Sequence, residues 1–84
     1  MMDVMQQVRE AIRVRHYSYR TEQAYTGWIE RFIRFNHGQH PEEFSEKEIG
    51  KFLTHLAVRE NVSASTQNQA LCALIFLYKV VLKI

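Results

Sequence analysis

The residues that most constrain this chain run from Ser63 to Tyr78. Ser63-Ala64-Ser65-Thr66-Gln67-Asn68-Gln69 supplies hydroxyls and amides, and the apolar body Ala70 to Tyr78 follows directly. Ser63 is a natural helix N-cap. Beyond Ala70 the helix is apolar on nearly every side, so it must sit centrally, packed on several neighbours. Such an element buries its second half and offers its first turns, whose N–H groups have no partner within the helix, to an anion. Lys79 and Lys83 share one narrow polar strip with Ser65, Asn68, Gln69 and Cys72.

Three further helices precede it. Asp3 and Gln6 have capping-box spacing, and Val4, Val8, Ala11 and Ile12 form an apolar stripe ending near Arg15, where His16-Tyr17-Ser18 breaks the pattern. Ser18 caps a second helix to about Asn36, closed by His37-Gly38. Its core arc holds Ala24, Tyr25, Trp28, Ile29, Phe32 and Phe35. Arg20, Gln23, Gly27, Arg31 and Arg34 fall on the other side, within roughly a third of the circumference. Residues 39–43 form a loop. Ser45 with Glu48 then makes a second capping box, with Phe44 and Ile49 as its hydrophobic staple. The third helix turns Ile49, Phe52, Leu53, Leu56 and Ala57 inward and Lys51, His55 and Arg59 outward, and stops near Glu60-Asn61. No period-two alternation or hairpin turn competes. The expectation is a compact all-α, four-helix domain spanning residues 1–84.

Composition narrows the class. Eighty-four residues make one small domain, which buries about 60–65% of its unfolded surface and so needs a dense core; 46% hydrophobic content suffices. The longest apolar run falls short of the ~20 residues a bilayer requires. No signal peptide is visible, and the single Cys72 suits a reducing compartment, so the chain reads as soluble and cytoplasmic. A net charge of +2 is small, but its distribution is uneven. Six arginines (Arg9, Arg13, Arg15, Arg20, Arg31, Arg34) face four acids in residues 1–34, Glu42, Glu43, Glu46 and Glu48 cluster mid-chain, and residues 61–84 carry two lysines and no acid. That pattern marks a charged face.

Catalytic constellations are missing. Tyr25 and Tyr78 lie on apolar arcs, and Tyr17 and Tyr19 have no general base beside them. His37 and His40 have H-x-x-H spacing across a turn with no third ligand, and His16 and His55 are solitary, so no metal or cofactor is expected. Cys72 reads as a buried small residue. Binding fits better. Ser18/Thr21 and Ser63/Thr66 open helices two and four, where free N–H groups and hydroxyls attract anions, and Arg20, Gln67 and Gln69 lie within two turns. The plain alternative is ordinary caps beside a solvated arginine face.

The text Ser18-x-x-Thr21 with Tyr25, Trp28, Ile29, Phe32 and Phe35 resembles the opening helix pair of the tyrosine recombinase (phage integrase) family. Ser63-x-x-Thr66 with Ala70-Leu71, Ala73-Leu74 and Phe76-Leu77-Tyr78 resembles that family's last core-binding helix. Taken with His16-Tyr17-Ser18, Arg31-Phe32-Ile33-Arg34-Phe35, His40-Pro41 and Asn61 to Leu71, nearly the whole chain is similar to the integron integrase branch. The resemblance implies a SAM-like core-binding domain of a bacterial, DNA-associated protein. It would lie on one side of duplex or hairpin attachment-site DNA while a separate catalytic domain closes the clamp. Strand cleavage would belong to that domain, and no tyrosine here matches its nucleophile. Partners would be DNA, the catalytic domain and other protomers of a synaptic complex, with no membrane. The implied DNA-facing residues are Ser18, Arg20, Thr21, Gln23, Arg31, Arg34, Ser63, Ser65, Thr66, Gln67 and Gln69, with Arg20 and Arg31 neutralising phosphates. Asn68-Gln69 departs from the basic residue of many relatives and leaves amide contacts there.

The competing expectation is a helical protein–protein module assembling recombinase protomers, with Val80-Val81-Leu82-Ile84 as an exposed apolar patch. A free-standing helix-turn-helix regulator lacks the short turn it needs. An enzyme in its own right has no constellation behind it.

Overall fold

The computed structural model describes residues 3–84. Four α-helices follow one another, α1 Val4–Val14, α2 Tyr19–Phe35, α3 Glu46–Val58 and α4 Ala64–Phe76; among the described residues there is no strand. The starts are set by local chemistry. Asp3 and Gln6 close one capping box and Ser45 and Glu48 another, while the Ser18 and Ser63 hydroxyl oxygens accept the N–H of Thr21 and Thr66. Each cap removes one orphan donor and fixes where its helix begins.

The ends are as definite. His16, His37 and Asn61 follow α1, α2 and α3 with φ of 57°, 61° and 53°, the left-handed region that His and Asn tolerate better than most side chains. Tyr17 N–H reaches Ile12 O and Gly38 N–H reaches Ile33 O, the wide closing bonds of a Schellman stop. The first of these stops turns the chain sharply and brings Ser18 to the surface four residues after Val14. Between α2 and α3, Pro41–Glu43 forms a 3-10 turn capped by His40, whose Nδ1 accepts from Glu42 N–H. The H-x-x-H pair is therefore divided, with His40 serving as a cap.

Packing centres on α4, which touches α2 and α3 and continues into a π-helical turn, Leu77–Val81, that rests on α1. Val8, Ile12, Ile29, Phe32, Leu56, Ala70, Ala73, Leu74 and Leu77 have no solvent exposure. Phe32 is the hub, edge-on to Phe44, Phe52 and Tyr78 with centroids 5.6, 5.5 and 6.4 Å away. Each such pair adds about 0.5–1.5 kcal/mol beyond area burial. The expected central role of the fourth helix is borne out, with a widened register after Phe76.

Several expectations are corrected. Ala24 and Ala57 are exposed, each at the edge of its arc in an open recess beside α4. Cys72 is exposed too, on the polar strip of α4. His55 is half-buried against the Phe35 ring rather than outward. Val80, Val81 and Leu82 pack on the core, leaving Ile84 as the exposed apolar residue of that tail.

Candidate nucleic-acid interface

Arg20, Gln23, Gly27 and Arg34 are all exposed on α2, opposite its buried Ile29 and Phe32. α4 borders this open face near its start. Arg20, Thr21, Ala24 and Tyr25 of α2 and Asn68, Gln69 and Cys72 of α4 line one recess of about 450 Å³. The small Ala24 that the helical arc assigns to the core instead forms part of this recess. Cys72 is a further lining residue that sequence reasoning left aside, although its shared strip with Asn68 and Gln69 was visible in the spacing.

The hydroxyls are partly committed. Ser18 Oγ donates to Thr21 Oγ1 at 3.1 Å, and Ser63 Oγ donates to Thr66 Oγ1 at 3.0 Å. Each serine thus caps its helix and binds its threonine, whose own O–H has no acceptor among the described residues. Those two O–H groups are available donors at the two helix starts. Gln23 Nε2 donates to Tyr19 Oη at 3.0 Å, which holds an exposed aromatic ring beside Arg20. Tyr19 is a surface residue that no spacing in the sequence marks for this face.

The remaining residues do not join that recess. Gln67 lines a shallow apolar one between α3 and α4 with Ala57, Val62 and Leu71. Ser65 is exposed without a partner among the described residues. Arg31 and Arg34 line a third recess of about 340 Å³ with Phe35, Phe52, His55 and Glu60. The single stripe expected on α2 is therefore two patches, one beside α4 and one beside the end of α3.

The cations differ in availability. Arg20 and Arg34 have no hydrogen-bond or ion-pair partner among the described residues. Arg31 is held: Nη2 donates to both Glu60 oxygens at 2.6 and 2.8 Å, and the guanidinium lies 4.9 Å from the Trp28 ring centre. His55 Nε2 stands 3.1 Å from Glu60 Oε2 on the other side. Chiefly the Arg31 hydrogen bond, helped by the guanidinium charge, outweighs partial desolvation and holds the Glu60 carboxyl below its ordinary range.

Glu22 is a functional-looking residue that sequence reasoning missed. It is 8% exposed, and Arg13 forks onto it through Nε and Nη2 at 3.0 and 3.1 Å. Chiefly the Arg13 hydrogen bond lowers the Glu22 pKa, against the opposing effect of burial. The spacing Glu22, Tyr25, Ile29, Phe32 was the signal that placed it on the inward arc.

The two tyrosines of the core arcs are not disposed as nucleophiles. Burial, with a smaller contribution from the Glu48 charge, pushes the Tyr78 phenol up to about 12, and its hydroxyl donates to Pro41 O. Burial likewise raises Tyr25. No group of three metal-ligating side chains occurs among the described residues. No helix among them is long and apolar enough to cross a membrane.

Residues 4–84 match the family described as phage integrase, N-terminal SAM-like domain. The chain is 51% identical over 79 residues to a protein named Integrase/recombinase from Escherichia coli, a match covering 94% of this chain and 23% of that protein. A protein of the same name from Pseudomonas aeruginosa matches to the same extent. The chain therefore spans less than a quarter of the length of these relatives.

Proposed function

The chain belongs to the phage integrase N-terminal SAM-like domain family, and from that premise we propose that it is the DNA-holding core-binding domain of a site-specific tyrosine recombinase of the integron integrase branch. It lies against one side of attachment-site DNA, duplex or folded hairpin, while a catalytic domain such as longer relatives would carry closes from the other side. Strand cleavage belongs to that partner domain, and contacts to other protomers complete the synaptic assembly. The work is done in the cytoplasm, on DNA.

The observation that carries this reading is the α2–α4 recess. It gathers an unpaired arginine, Arg20, with Thr21 and the Asn68 and Gln69 amides on an exposed face. Arginine supplies the phosphate charge, the hydroxyl and main-chain donors fix orientation, and the amides offer paired donor and acceptor groups to base edges. Ser18, Gln23, Ser63, Ser65 and Thr66 frame the recess or the neighbouring helix start, and Arg34 adds a cation further along α2. Gln67 has the least support among these residues, because it lines the apolar α3–α4 side.

An amide chemical-shift titration with a generic duplex, at about 50 and 200 mM salt, tests it. About five phosphate contacts give a slope near −4.5 in log K against log salt, so the fourfold rise weakens binding several hundredfold. Shifts at Ser18–Gln23 and Ser63–Gln69 that collapse at the higher salt are expected. No shifts at low salt would overturn the reading for the isolated domain.

A second reading has its own observation. Phe44, Ile49, Leu71, Ile75 and Ile84 line an apolar recess of about 460 Å³ between α3 and α4, with Ile75 and Ile84 more than half exposed. That surface suits a protein contact during recombinase assembly, and such a contact would be nearly indifferent to salt.

A further inference from the structure

Two of the arginine–glutamate pairs that α2 makes are built differently. Arg13 grips Glu22 through two nitrogens, and the carboxylate is almost fully buried. Arg31 meets Glu60 through Nη2 alone, and both side chains keep more than a third of their exposure. A fork onto a buried carboxylate is structural. An end-on pair in solvent is exchangeable, since exposed ion pairs hold weakly and salt screens them.

The surroundings of the second pair point to what it exchanges with. Its recess holds Arg31, Arg34 and His55 against one carboxylate, that of Glu60. Both Glu60 oxygens sit within charge-assisted hydrogen-bond range of a guanidinium whose face Trp28 covers. This is the arrangement a phosphate would take on the same arginine. Glu60 also lies three residues before Ser63, the cap of the helix start that attracts anions. Nε and Nη1 of Arg31 have no partner among the described residues, so the side chain can turn towards another anion.

We propose that Glu60 is an internal competitor for Arg31: its carboxylate occupies the place of a DNA phosphate, so binding must displace it and the domain holds DNA more loosely than its arginines would allow. The inference rests on the DNA-holding reading above and names a regulator at the second arginine patch of α2, beside the end of α3. Removing the carboxylate leaves Arg31 and Arg34 as unpaired cations one turn apart, a ready phosphate site.

The test is duplex affinity by fluorescence anisotropy at about 50 mM salt for wild type, Glu60→Gln, Arg31→Gln and the double variant, with thermal unfolding of each. Glu60→Gln should tighten binding about two- to fivefold, the fold-change that an exposed ion pair represents. Its salt slope should steepen by up to about 0.9, one phosphate's worth. The gain should vanish in the Arg31→Gln background. A gain that persists without Arg31 would be a general charge effect and would overturn the competitor. Weaker binding by Glu60→Gln, with or without a lower unfolding midpoint, would make Glu60 a support for Arg31 and overturn it equally. Wild type that binds with an unchanged Glu60→Gln affinity removes the competitor and leaves the DNA-holding reading. Duplex ignored by both proteins removes both.

Discussion

α2 shows two sides of one helix, each carrying charged residues. Its closed side presents Ile29 and Phe32 to α3 and α4 and fixes even its acid, Glu22, in an inter-helix fork. Its open side presents Arg20, Gln23, Gly27 and Arg34 to solvent, and there the one held cation, Arg31, is held end-on. The difference teaches that charge alone does not mark a binding face. Arg13 and Arg31 look alike as residues, yet the first completes the fold and the second stands on a surface the fold leaves unfilled.

The closed side should break hardest. Phe32→Ala removes the ring around which Phe44, Phe52 and Tyr78 are arranged, and none of it is exposed. Truncations of this kind cost about 3–5 kcal/mol, a large part of the stability of a small domain. Urea unfolding followed by circular dichroism should show a much lower midpoint or no folded baseline. A midpoint within error of wild type would mean that the aromatic hub is not what joins α2 to α3.

The open side should break in binding and not in folding. Arg20→Glu with Arg34→Glu removes two unpaired cations. The salt slope of duplex binding should become shallower by about 0.9 for each phosphate left without its arginine, about 1.8 for two. The unfolding midpoint should stay close to wild type, because neither side chain has an intramolecular partner among the described residues. An unchanged slope would take these arginines off the DNA surface and erase the contrast between the two sides.

The Arg13–Glu22 fork makes a prediction about acid. The Glu22 pKa is lowered in the folded protein, so its contribution to stability is present above the ordinary carboxylate range and is lost as pH falls through the lowered value. Arg13→Gln removes the principal cause of that lowering and leaves burial to raise it. The variant should be less stable at neutral pH and begin to unfold at a higher pH than wild type on acid titration. Identical acid transitions would show that the fork adds nothing beyond a surface pair. Arg31→Gln, on the open side, should barely move the same curve.

These contrasts also explain what could be read from the sequence. Asp3, Ser18, Ser45 and Ser63 were legible as helix starts because a cap and its partner lie within three residues, and the structure satisfies all four. The core arcs were legible in their centres. They failed at their edges, at Ala24 and Ala57, because periodicity gives a side chain's direction and not the reach of the next helix; at Cys72 the polar strip was right and the residue type misleading. The partners of Glu22 and Arg31 lie 9 and 29 residues away, and no local spacing announces a pair that only tertiary packing creates. The stripe on α2 was therefore correct as a direction, while its division between the α4 and α3 sides belongs to the fold.

The smallest effect is also the most local test of the open side. Gly27 lies inside α2, and a Cβ added there would meet nothing within 4 Å. Internal packing thus gives no reason for a glycine, which costs a helix interior about 0.5–1 kcal/mol relative to alanine. Gly27→Ala should raise the unfolding midpoint accordingly. If DNA backbone approaches the open face closely, the same methyl group should weaken duplex binding while it stabilises the free domain. Gly50 in α3 is the matched control, since it is exposed, equally free of neighbours within 4 Å and outside the stripe. Gly50→Ala should stabilise the domain by a similar amount and leave affinity alone. Equal behaviour of the two variants in binding would place the DNA contact away from the middle of α2 and confine it to the Arg20–Gln69 recess. Opposite effects on stability and affinity at Gly27 alone would put the nucleic acid against the helix at that turn.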